Sequence, residues 1–211
     1  MKKYIIISLL MAFCLGAGAQ EQRYAVKSGI ITMGMDMMGQ TIVQETYFDD
    51  YGAKQATVMD MRGQKVRTIV VDGKTVMISD EEKTATTMPS MGPGGAGAGM
   101  GGNNINFLSL DEKTIKKNRI KELGEEEIIG KPCTKYSYKV LMMGSAITVY
   151  AWVYKGITLK TTMKTDFGEM GMAATKIQED VQIDPAMFVV PEGVTIQEMR
   201  RPAGPPQGFD F

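Results

Sequence analysis

Ile31, Met33, Met35 and Met37 fall on alternate positions, with Thr32, Gly34 and Asp36 between them. Period two puts all four apolar side chains on one face of an extended strand. Three thioethers on one face admit two chemistries. Soft sulfur suits Cu(I), and same-face neighbours roughly 6.5–7 Å apart along a strand can be bridged by long side chains. Flexible thioethers also adapt to a varied apolar ligand. The plainer alternative is core packing: each methionine removed from water contributes about 1.5–3 kcal/mol, so the stripe must be covered by protein or ligand. The chain has no histidine, and no second cysteine lies near the stripe to strengthen a copper site. The expectation is an apolar lining or a core, with no metal and no cofactor.

A second stripe, Tyr150, Trp152 and Tyr154, alternates with Ile147, Val149, Ala151 and Val153. Two apolar faces describe a strand covered on both sides, or one that faces a cavity. Such aromatics either pack the sheet or form a ligand platform. The seven residues of the two stripes are the candidate ligand-binding set. Catalysis has little to work with. The carboxylates of Asp49, Asp50 and Glu125 to Glu127 read as solvated turns, and no nucleophile is paired with a base. Cys133, the one cysteine outside the first twenty residues, reads as a small buried side chain. A reactive thiol there would have only Lys131 and Lys135 to support it. The expectation is a protein that is not an enzyme.

Lysine plus arginine equals aspartate plus glutamate, 24 of each. No basic stripe with interleaved aromatics appears, so nucleic acid is not an expected partner.

The chain that positions these stripes opens with Lys2 and Lys3, an apolar run from Tyr4 to Leu15, and Ala17-Gly18-Ala19. That is the pattern of a signal peptide cleaved after Ala19, giving a periplasmic or secreted protein. A lipid anchor on Cys14 would need a small residue before it, where Phe13 stands. Residues 20–199 then read as one domain. Strands are expected at 24–38, 41–48 and 54–61, and the runs on either side of Asp72-Gly73 form a hairpin. Residues 89–102 are Gly-rich and read as a flexible surface loop. Ser109 and Glu112 have capping-box spacing and predict a helix from Leu110 to about Asn118, with Phe107, Leu108, Leu110 and Ile115 on its buried side. Further strands follow at Cys133 to Leu141, Ala146 to Tyr154, Ile157 to Thr165 and Ala173 to Ile183, and Val194 to Glu198 can close an edge. Residues 200–211 read as a disordered tail. Eight to eleven strands on short connections predict a mainly β (α+β) fold: a strongly curved antiparallel sheet or half-barrel with a helix lid.

Glu127-Ile-Ile-Gly-Lys-Pro-Cys-Thr-Lys-Tyr136 resembles a Glu-x-x-x-Gly-x-x-Cys-x-x-Tyr element. Trp152 followed by Gly156-Ile-Thr-Leu-Lys160, and Phe188-Val-Val-Pro-Glu-Gly193, resemble two more. Together, over residues 24 to 199, they are similar to an uncharacterised family of exported Bacteroidetes proteins related to the LolA/LolB lipoprotein-carrier superfamily. The resemblance implies a LolA-like open barrel with a helix lidding an apolar cavity. It implies a lipid, acyl chain or lipoprotein as ligand, and a cell-envelope protein-interaction or sensor module is the alternative function.

Overall fold

β-branched runs cut by short polar turns favour pairing of each strand with its neighbour in sequence. A computed structural model shows this outcome, and it describes residues 22–37, 40–61, 64–71, 74–88, 105–142, 145–165 and 168–198. The strands of the first half are β1 (Gly29–Met37), β2 (Gln40–Asp49), β3 (Lys54–Met61), β4 (Gln64–Val71), β5 (Lys74–Ser79) and β6 (Thr84–Met88). After helix α1 (Glu112–Asn118) come β7 (Lys121–Ile128), β8 (Lys131–Met142) and β9 (Ser145–Tyr154). The set ends with β10 (Ile157–Thr165), β11 (Gly168–Glu179) and β12 (Thr195–Glu198).

All twelve strands form one open, curved sheet in the order β12-β6-β5-β4-β3-β2-β1-β11-β10-β9-β8-β7. Every neighbour pair is antiparallel except β12, which runs parallel to β6. The sheet is thus two meanders joined where β1 meets β11. Register shifts at Thr32/Met33, Thr158/Lys160 and Glu122/Gly124 interrupt the ladders. Such bulges add local twist and help a wide sheet curl.

The two faces are covered differently. On one, Ile105, Phe107, Leu110 and Ile120 pack against Tyr138, Val149, Ala151, Val153 and Met163. This is the helix-side face. On the far face, Met187, Phe188, Val190 and Val194 pack over Ala56, Ile69, Val76, Ile78 and Ala85 of β3 to β6. A third cluster joins Val26 and Phe48 to Ile31, Met33, Met35, Cys133, Trp152, Ile157 and Leu159.

Several expectations need correction. The helix is capped by Asp111, whose carboxylate accepts from the Thr114 N–H at 2.6 Å, and not by Ser109. None of its residues is buried: Leu108 and Ile115 are exposed, and Phe107 and Leu110 do the covering from outside the helix. Glu125 to Glu127 belong to strand β7, because Glu126 has partners on the neighbouring strands. β11 begins at Gly168 and ends at Glu179, short of Ile183. The first 21 residues, Asp72-Gly73, the Gly-rich stretch and the tail lie outside the described residues.

Candidate functional site

Cross-strand register shows what each stripe faces. Met33 pairs with Ala174 on one side and Gln44 on the other, and Gln44 pairs with Met59, which pairs with Val66. One row over, Ile31, Thr46, Thr57, Thr68, Met77 and Thr86 stand side by side. Met172, same-faced with Ala174, pairs with Thr161, which pairs with Ala151. Ala151 lies under the 105–120 segment, so all these residues share the helix-side face.

Among the described residues, the 105–120 segment covers the β8 to β10 part of this face, and none of the three core clusters includes its β3 to β5 part beyond Gln44. Met59, Val66 and Met77 are half-buried, yet among the described residues they join none of the three core clusters. Ile31, Met33 and Met35 form the wall of this strip where it meets the core, the two methionines each 7% exposed. Met37 closes β1, and its side chain lies outside the described residues. Gln44 is 4% exposed, and its amide donates to the Thr46 hydroxyl at 3.4 Å.

The aromatic stripe occupies the other side. Trp152 pairs with Lys160, Lys160 with Ala173, and Ala173 with Gly34. That row is the far face, because Gly34 alternates with Met33. Its indole is 5% exposed, lying between the Lys135 ammonium at 4.7 Å and the Lys160 ammonium at 4.5 Å from the ring centroid. Both ring faces are thus taken by cations. The indole N–H donates to Glu126 at 2.6 Å, and hydrogen bonds from Lys135 and then Trp152 hold the Glu126 carboxyl below its usual range. Tyr154 packs against the same core cluster and donates to Glu179, while Tyr150 is 37% exposed. The two stripes meet edgewise in one core but do not line one trough.

Glu179 gathers Lys131 at 2.6 Å, Lys155 at 3.0 Å and the Tyr154 hydroxyl at 3.3 Å. The Lys131 hydrogen bond, chiefly, lowers the Glu179 carboxyl from 4.5, and both lysines are raised above 10.5. A lowered carboxyl contributes stability that is present above its unfolded pKa and lost as pH falls through its folded one; the raised lysines act conversely on the alkaline side. Glu179→Gln should therefore lower the urea midpoint across the neutral range. Parent and variant should converge well below pH 4.5. Equal midpoints at neutral pH would remove Glu179 as a fastener of the β8, β9 and β11 ends.

Cys133 is fully buried, its thiol donates to the Lys131 carbonyl at 3.4 Å, and burial pushes its pKa up. That is an inert thiol. Among the described residues no group of three or more His, Cys, Asp or Glu side chains is placed to hold a metal.

Sequence reading missed Gln44, Met59, Val66 and Met77. The signal was there: Thr57-x-Met59, Val66-x-Thr68 and Thr75-x-Met77 continue the period-two pattern of Met33 and Met35.

No protein-family model matches the sequence, and no curated protein does. Solved structures do. An uncharacterized conserved protein from Thermus thermophilus is 8% identical, with 83% of this chain and 92% of that one aligned at a TM-score of 0.53. MucB is 12% identical over 82% of this chain, at a TM-score of 0.50. The likeness is one of fold. This chain spans 60% of the length of MucB. A looser match, at a TM-score of 0.40 and 13% identity, is the Mycobacterium tuberculosis lipoprotein LppX, over 76% of this chain and 91% of that one.

Proposed function

We propose that this is a non-enzymatic, LolA-like binding protein of the periplasm or cell exterior. It holds an acyl chain or another hydrophobe against the β3 to β5 half of the helix-side face. The observation that supports this reading is the strip that runs from buried Met33 to half-buried Met59, Val66 and Met77, the last three in no core cluster among the described residues. Thioethers fit a flexible chain because they repack at little strain. A lipid or a lipoprotein's acyl group is the expected ligand class, and Tyr150, Trp152 and Tyr154 are not part of the lining.

A second reading draws on the same strip. Thr46, Thr57, Thr68 and Thr86 bring hydroxyls that an acyl chain does not use and a polypeptide can. In that case the occupant is a segment of an envelope protein.

Native mass spectra of the exported form, purified gently from the producing cell, test both readings. Extra mass that leaves on organic extraction and is identified as lipid is the expected result. Met59→Glu should reduce that adduct at least tenfold, because a carboxylate there would have to be desolvated beside the chain. A copurifying peptide mass would favour the second reading. Mass shifts in copper units would restore the thioether metal site, and an adduct unchanged by Met59→Glu would place the ligand elsewhere.

A further inference from the structure

The far face of β8 to β10 carries charge of one sign around exposed apolar side chains. Lys135, Lys139 and Leu141 alternate along β8, and Lys160 and Lys164 along β10, all same-faced with Tyr150 and Trp152. Lys121 of β7 joins them through Ser137, which pairs with Tyr150. Among the described residues the face sets two glutamates, Glu126 and Glu169, against these five lysines. Glu126 is committed to Lys135 and Trp152, and Glu169 stands opposite Lys164. Meanwhile the whole chain has zero formal charge, so the lysines here are balanced by acids placed elsewhere. Leu141 is 78% exposed, the most exposed of the large hydrophobic side chains described. Between these groups, Gly34, Gly171 and Ala173 leave a shallow open groove beside Lys160.

We infer that this face docks on an anionic lipid surface. Charge complementarity names the sign of the partner. The apolar side chains choose its class: Leu141 and the amphipathic Tyr150 suit the headgroup–acyl boundary, where tyrosine is at home. A bilayer also asks for no register from a broad sheet face, only for several ammonium groups near one plane. Each lysine close to an anionic membrane strengthens attachment several-fold, and the attraction weakens as salt screens it. The docking is independent of what the helix-side face holds, so the two readings fail separately.

The test is sedimentation of the exported form with vesicles of phosphatidylcholine alone, and with vesicles that also contain phosphatidylglycerol. Binding to the mixed vesicles only, falling as sodium chloride is added, is expected. Lys121→Gln combined with Lys139→Gln and Lys164→Gln should weaken that binding at least tenfold. Lys54→Gln with Lys65→Gln, on β3 and β4, should leave it intact and controls for net charge. Leu141→Ser with Tyr150→Ser should weaken binding several-fold and keep its salt dependence. All of these side chains are exposed, so the variants are expected to fold, and circular dichroism checks that they do. Equal binding by the triple variant and the parent would overturn the inference. So would equal binding to neutral vesicles. Retention on immobilised polyglutamate without vesicle binding would overturn it in favour of an acidic polypeptide.

Discussion

Arg67→Ala is expected to lower the unfolding free energy by about 2–4 kcal/mol, read from the shift in the denaturant midpoint. Arg67 is buried on the far face, with Asp80 at 3.0 Å on one of its nitrogens. Its other terminal nitrogen donates to the carbonyls of Ala186, Met187 and Val189, at 2.8, 3.0 and 3.2 Å. One guanidinium thereby pins the segment around Pro185–Phe188 to the sheet. Alanine leaves those carbonyls without their donor and removes the aliphatic stem from the core beneath them. The Asp80 ion pair is the lesser part of the loss, since that carboxylate is half-exposed and water can replace its partner. Arg67→Lys should recover only a fraction, because an ammonium cannot reproduce a planar fork aimed at several acceptors. If the alanine variant unfolds at the parent's midpoint, this strap across the far face is held by the apolar contacts of Met187, Phe188, Val190 and Val194.

The strap bears on function through the face that it occupies. By covering β3 to β6 on the far side, it lets Ile69, Val76 and Ile78 be fully apolar there. The helix-side faces of the same strands carry methionine and threonine instead: Thr57, Met59, Thr68 and Met77. β12, which follows the strap, extends the sheet beyond β6 by parallel pairing. Under the proposed function, loosening the strap should weaken ligand retention as well as stability.

Strand positions were legible because period two is written in side-chain chemistry, and β10 appears at the limits the residues suggest, Ile157–Thr165. The side to which each strand shows its stripe was not legible. That depends on pairing and on the shifts at Thr32/Met33 and Thr158/Lys160, which no local pattern announces. Met33 and Trp152 consequently look like two walls of one cavity in the sequence and lie on opposite faces in the row that joins them. β3 to β5 posed a related difficulty: with apolar residues on both sides of each strand, alternation alone cannot say which side a later segment will cover. Glu126 was hidden for a different reason. Inside a run of glutamates it looks solvated, and only the return of β8 and β9 brings Lys135 and Trp152 to it.

Phe48→Ala should cost about 3–5 kcal/mol, the range for deleting a fully buried aromatic ring. Phe48 has no exposed surface, meets Tyr24 edge-on with ring centroids 4.9 Å apart, and pairs across the ladder with Gly29. Removing the ring opens a cavity where the chain's first described residues join the sheet, and the core around Val26 and Ile31 loses a fully buried ring. Gly29→Ala attacks the same spot by overfilling it. A Cβ at position 29 would stand 2.6 Å from the Phe48 ring and 2.5 Å from the Gln178 carbonyl oxygen. The two substitutions should therefore be less than additive, since deleting the ring removes one of the two collisions. Full rescue is not expected, because the carbonyl belongs to the β11 backbone and has no rotamer by which to withdraw. Additive losses in this cycle would mean that Gly29 is dictated by β11 alone; complete rescue would mean that the ring alone dictates it.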